Sequence, residues 1–339
     1  MNRVRVALVA AAAVILPLAQ TPSPSATFVR EAVSFKVHNP MVPFHTYTVR
    51  GVLVRPAAGC SGSVLLAMHG LSYGRWAWDF PYQPATHSAA EALANRGYAI
   101  LAVDELGYGS SAGPGYPDHP NGYTLTVEAY AQMTAQIASQ LRAGTYTAAQ
   151  PTAFSHVGLI GHSAGSEIVE LAAGLHPGLA DVLIAIGYTH EPFVNNQWLL
   201  REWVLDNIRA AKSDYEYFET NPTIRAHDMY NLANADPAVV ALDTSLAQLT
   251  PSGEVFSSGI QPSRFVIPLI QIPTLLVLGA KDEIFPGHFG SSELGLFLLA
   301  KDKTLVVAPN DGHAMMLQKD APVTFTAIAN WLDSRFAKC

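Results

Sequence analysis

Gly161-His162-Ser163-Ala164-Gly165 puts one serine at the junction of an apolar strand (His156 to Ile160) and a helix (Ser163 to Gly174). The G-x-S-x-G pattern in that context predicts a tight turn that lifts the hydroxyl clear of a sheet. The helix that follows aims its positive N-terminus at the same spot, which favours developing negative charge. A serine hydroxyl is a poor nucleophile alone and needs a base and an orienting acid. Asp282, in Gly279-Ala280-Lys281-Asp282, follows the strand Thr274 to Leu278. His313, in Asp311-Gly312-His313, follows the strand Leu305 to Val307. Three strand ends thus deliver complementary side chains to one edge, where open sheets of this type bind ligands. Glu191, after the strand Val182 to Ile186, is the alternative acid, whereas Asp311 is too near His313 in sequence for that task. The plain alternatives are a turn serine, a loop carboxylate or helix cap at Asp282, and a surface histidine at 313.

An attacked carbonyl becomes an oxyanion and requires fixed donors. The backbone N–H of Ala164 is one candidate. The N–H of Leu71, in the turn His69-Gly70-Leu71 after the strand Ser63 to Met68, is the other. Gly70 permits close backbone approach there, and His69 is read as structural. Trp76, Trp78 and His162 are assigned to a substrate pocket; the alternative is that the rings of Trp76 to Tyr82 pack their loop onto the domain. Gly107-Tyr108-Gly109-Ser110-Ser111 resembles a phosphate cradle, but it lacks the Lys-Ser/Thr ending and opens no helix. It is read as a structural loop. No His/Glu pair has zincin spacing, so neither a metal nor a cofactor is expected.

These residues need a frame. Apolar runs at Thr46–Arg55, Ser63–Met68 and Tyr98–Val103 read as strands, and Ser88–Arg96 and Thr126–Arg142 as helices, with a final helix at Val323–Arg335. Strand–helix alternation implies a mostly parallel sheet covered on both faces. The alternation breaks between Glu191 and Arg264, where Trp198, Trp203, Tyr215, Tyr217 and Phe218 accumulate. Residues 191–264 are therefore assigned to an inserted helical cap, and 26–190 with 265–339 to the core. Residues 1–25, with Arg3 and Arg5 before the apolar run Val6 to Ala19, read as a signal peptide. The run is short for a membrane span, which takes about 20 residues; an uncleaved anchor is the alternative. Losing Arg3 and Arg5 with the leader would take the formal charge from −7 to −9. No Lys/Arg run offers a nucleic-acid face. Cys60 and Cys339, the two cysteines, could pair in an oxidising compartment and tie the C-terminus to the sheet edge, or stay free.

The chain resembles the α/β-hydrolase superfamily. The matching pieces are His69-Gly70, the D-x-x-G-x-G-x-S run from Asp104 to Ser111, GHSAG at 161–165, GAKD at 279–282 and DGH at 311–313. The WDFPYQP stretch at 78–84 is similar to a group of secreted hydrolases from fungi and bacteria. The resemblance implies a nucleophile at Ser163, an acid at Asp282 and a base at His313; relatives with an aspartate nucleophile match less well. The expected function is a secreted, cofactor-independent serine hydrolase acting on a neutral, rather apolar ester or lactone. Its partner would be that small acyl substrate, with no nucleic acid and no membrane span after processing. The alternatives are a thioesterase or cyclising acyltransferase acting on a small natural product, and a binding protein on a hydrolase scaffold.

Overall fold

The computed structural model describes residues 27–60, 62–190 and 216–339. The leader and the stretch 191–215, which contains Glu191, Trp198, Trp203 and Tyr215, lie outside the described residues. The core is an eight-stranded sheet. Its strands are β1 (Phe28–Val37), β2 (Tyr47–Pro56), β3 (Ser63–Met68), β4 (Ala99–Asp104), β5 (His156–His162), β6 (Val182–Ile186), β9 (Thr274–Gly279) and β10 (Lys303–Ala308). They lie in the order β1-β2-β4-β3-β5-β6-β9-β10. β1 runs antiparallel to β2 and β2 antiparallel to β4; every other pairing is parallel. A mostly parallel sheet flanked by helices is the expected architecture. The strand at 28–37 was not foreseen. It alternates and lies half-exposed at one edge, so it lacks the continuous apolar run that marks the central strands.

β3, β4, β6 and β9 are buried along their whole length. Side-chain alternation divides them between two cores. Val64, Leu66 and Met68 face the layer formed by α3 (Val127–Ala143) and α4 (Ala164–Leu175). Leu65 and Ala67 face the opposite layer, where Leu93 of α2 (Ala89–Asn95) meets Phe325, Ile328 and Leu332 of α9 (Ala321–Leu332). Each such aliphatic side chain contributes about 1.5–3 kcal/mol by leaving water. Local signals set the helix limits. Thr126 Oγ1 accepts from the Ala129 N–H and starts α3, and Gly144, at φ 66°, ends it. Ser88 Oγ accepts from the Glu91 N–H and starts α2, just after the short α1 (Pro84–His87).

Between β6 and β9, the described part of the expected insertion adds no strand to the main sheet. It comprises a two-stranded pairing of β7 (Tyr217–Phe218) with β8 (Thr250–Pro251), and the helices α5 (Pro222–Asp228), α6 (Pro237–Leu246) and α7 (Ser252–Ser258). It sits on the turns that follow β3 and β10. Gln248 N–H donates to Ser72 O at 2.8 Å, and Ala314 N–H to Met229 O at 2.6 Å. α8 (Gly290–Leu296) fills the crossover from β9 to β10.

Cys60 and Cys339 form a disulfide with Cα atoms 4.5 Å apart. Contrary to the sequence expectation, it does not tie the C-terminus to the sheet edge. Cys60 leads into β3, and β3 is central because β4 and β2 pair outside it. The bridge therefore fastens the C-terminus to the middle of the sheet.

Candidate active site

β3, β5, β9 and β10 are parallel, so the residues that follow them emerge at one edge. Ser163 follows β5 directly and stands at φ 55°, ψ −126°, a region that non-glycine residues occupy only when their surroundings enforce it. The enforcement is visible. Ser163 N–H donates to Ile186 O at 2.9 Å, and Ser163 O accepts from Ser166 N–H at 2.8 Å. The flanking glycines are needed for space. A Cβ at Gly161 would strike the Gly165 backbone, and one at Gly165 would strike the carbonyls of Met68 and His69. Ala164 opens α4, so its N–H has no partner within the helix.

His313 and Asp282, 31 residues apart, meet here. His313 Nδ1 donates to Asp282 Oδ2 at 2.9 Å, with both side chains buried. Asp282 Oδ1 accepts from the N–H groups of Ile284 and Phe285, each at 2.8 Å. The carboxylate is thereby locked by its own loop and can accept from the imidazole in one direction only. Asp311 is occupied elsewhere, accepting from Asn234 Nδ2 at 3.0 Å and Thr324 Oγ1 at 3.1 Å. Burial pushes its carboxyl up to about 6. Gly187 brings the loops of His313 and His162 together: a Cβ there would lie 3.4 Å from His313 Nδ1 and 3.5 Å from the His162 ring. Among the described residues no hydrogen bond joins Ser163 Oγ to His313.

The turn after β3 rests on Ser163. A Cβ at Gly70 would lie 2.8 Å from Ser163 Cβ. His69 Nδ1 donates to Gly70 O at 2.9 Å, and Tyr73 N–H donates to the same carbonyl at 3.1 Å. In a planar trans peptide the N–H points opposite to the C=O, so these two bonds also set the direction of the Leu71 N–H. Glu105 N–H donates to His69 Nε2 at 3.2 Å, which leaves the proton on Nδ1. Burial holds the His69 imidazole down to about 4, hence neutral at ordinary pH.

Two pocket assignments require correction. Trp78 is fully buried beside Phe80 and Leu93 in the core, so it meets no accessible space. His162 is also buried; its Nε2 donates to His313 O at 2.9 Å, and burial, aided by the neighbouring His313, lowers its pKa to about 3. It is a neutral strut under the His313 loop. Trp76 is half-buried between Tyr73 and Phe80.

The alpha/beta hydrolase family profile matches residues 64–327. This chain belongs to the alpha/beta hydrolase family. No curated protein matches it by sequence. Among solved structures, a thermophilic esterase from Thermogutta terrifontis with malate bound superposes at TM-score 0.68 and 17% identity, covering 90% of this chain and 99% of that one. A soluble variant of monoglyceride lipase from Saccharomyces cerevisiae, in complex with a substrate analog, gives 0.62 and 15%, covering 88% and 95%. A monoacylglycerol lipase from Paleococcus ferrophilus gives 0.58 and 17%, covering 83% and 96%. At such identities the likeness concerns the fold.

In this alpha/beta hydrolase the Asp104 loop is structural, as its sequence suggested: Asp104 Oδ2 accepts from Ser110 N–H at 3.0 Å and from Arg75 Nη1 at 2.5 Å. Sequence reasoning missed one group beside the site. Arg225 of α5 is fully buried and pairs with Asp243 of α6, Nη2 to Oδ1 at 2.8 Å and Nε to Oδ2 at 3.2 Å. Burial works to depress the guanidinium, but Asp243 holds it more firmly charged than usual. The available signal was Asp243 itself, a lone carboxylate in the apolar run Val239 to Leu246. Among the described residues, His227, Asp228 and Glu283 form the one group with metal-ligand atoms all within 4.8 Å of one another. Two of the three are exposed, and His227 Nδ1 already bonds Asp228 Oδ1 at 2.9 Å.

Proposed function

We propose that this alpha/beta hydrolase is a serine acyl hydrolase that cleaves a small, neutral ester or lactone through an acyl-enzyme on Ser163. What carries the reading is the joint placement at one sheet edge: a serine on a strained strand-to-helix turn, a buried His313–Asp282 pair, and a constrained turn whose Gly70 packs on the serine. Ser163 Oγ attacks the carbonyl while His313 Nε2 accepts its proton and then gives it to the leaving group. A Ser163–His313 hydrogen bond forms as substrate binds, since catalytic hydrogen bonds in such sites often close only in the complex. Asp282 holds the ring with Nδ1 protonated and stabilises the imidazolium. The oxyanion is met by the N–H groups of Ala164 and Leu71. Water, activated by the same imidazole, then releases the acid.

Release of p-nitrophenol from short-chain esters tests the reaction. Ser163→Ala is expected to lower kcat by about 10⁶, to near background, and to abolish labelling by a fluorophosphonate. Labelling with no turnover would favour a specialised acyl acceptor over water. Neither labelling nor turnover would leave the binding-protein alternative. We place the enzyme outside the cytoplasm, a reading supported by its disulfide, since such bridges persist in oxidising compartments.

A further inference from the structure

Ser72 stands at φ 63° in the turn that carries the Leu71 N–H. No glycine relieves this conformation, so something must hold it. The core supplies one restraint, the Tyr73 N–H to Gly70 O bond. The others come from outside the core. Arg225 Nη1 donates to Ser72 Oγ, and Ser72 Oγ donates to Leu71 O at 2.5 Å. Gln248 N–H donates to Ser72 O at 2.8 Å. The Arg225 guanidinium also covers the Tyr73 ring, 4.2 Å from its centroid, and that ring meets the His162 ring in a T-shaped arrangement with centroids 5.6 Å apart. Asp243 takes up the other side of the guanidinium, so Arg225 has no freedom to turn away. The α5 end reaches the base loop as well, through Met229 O and Ala314 N–H at 2.6 Å.

We propose that Arg225 is a positioning residue: clamped by Asp243, it fixes Ser72 and Tyr73 so that the Leu71 amide stays aimed at the developing oxyanion. The cap is thereby part of the catalytic geometry as well as a cover. A buried ion pair is weak as a stabilising device, because desolvation offsets most of its attraction. Its merit is direction: a planar guanidinium can bond a carboxylate along one edge, a hydroxyl at another nitrogen, and a ring with its face. A lysine ammonium cannot meet all three.

The inference rests on the acyl-hydrolase reading above, and the test separates the two. Arg225→Lys and Ser72→Ala are compared with the wild type for kcat, KM, thermal midpoint and inhibition by a boronic acid that forms a tetrahedral adduct on the serine. Each variant is expected to lower kcat about tenfold, a fraction of the 10²–10³ that follows loss of a whole donor. KM should stay within about twofold, and boronate affinity should fall in step with kcat, because both need the oxyanion donor. The double variant should be little worse than either single one, since both cut the same link. If Arg225→Lys does not fold, Ser72→Ala decides alone, because it leaves the Arg225–Asp243 pair intact. Unchanged kcat and boronate affinity in a folded Ser72→Ala would overturn the proposal while leaving the hydrolase reading in place. A wild type as inert as Ser163→Ala would end both.

Discussion

His313 is held from three sides. Asp282 takes its Nδ1, His162 Nε2 supports its carbonyl, and the Ala314 N–H that follows is bonded to Met229 O just beyond α5. Loss of the carboxylate charge should therefore hurt more than loss of packing. Asp282→Asn keeps the shape and the two loop N–H bonds, yet it no longer dictates which imidazole nitrogen carries the proton. The expected cost is about 10⁴ in kcat with little change in KM. Steady-state kinetics on a p-nitrophenyl ester measures it. A near-silent change would move the acid role to Glu191, after β6.

At the scale of elements, the parallel strands separate two jobs. Their carboxyl ends carry Ser163, Asp282 and His313, and the amino end of β3 carries the disulfide that anchors the C-terminus beyond α9. The bridged cysteines are 279 residues apart, so the cross-link restricts the unfolded chain heavily. Reduction, or Cys60→Ala with Cys339→Ala, should lower stability by about 2–5 kcal/mol. Because the bridge lies at the far end of the strands from Ser163, turnover below the unfolding range should persist. A denaturant titration paired with an activity assay in each buffer checks this; loss of activity without loss of fold would show that the two ends are coupled.

Over the whole molecule, the interior holds an unusual set of acids. Glu105, Glu167, Glu170, Glu254 and Glu293 are all buried, and His190 Nδ1 bonds Glu293 Oε1 at 2.7 Å. Burial pushes Glu167 and Glu254 up to about 8 and raises Glu105 and Glu170 as well. Unfolded, each would return to about 4.3. Between those values the folded protein holds more protons than the unfolded chain, so stability falls as pH rises. The buried His69 and His162 act oppositely. Their folded values near 4 and 3 make stability rise with pH, but only up to about 6.5, where the unfolded imidazole has lost its proton. From about pH 6.5 to 8 the acids act unopposed. The thermal midpoint should drop over that interval, and Glu167→Gln should flatten the slope. Scans at constant ionic strength test it; a midpoint that rises from 6.5 to 8 would refute it.

Much of this protein could be read along the chain. Continuous apolar runs marked the central strands because burial on both faces leaves no room for alternation. The G-x-S-x-G turn was legible because only small residues fit where β5 meets α4. Asp282 and His313 were legible because strand ends in a parallel sheet share an edge, which makes order along the chain a guide to position in space. The sequence could not show that Trp78 is core, that His162 props the base loop, or that Cys60 enters the middle of the sheet. Each depends on which way a side chain turns, or on which strand pairs outside another. Arg225, Asp243 and Ser72 were hidden for a further reason. They come from separate elements without periodic pattern, and only their packing together gives a buried charge its partner and the turn after β3 its hold.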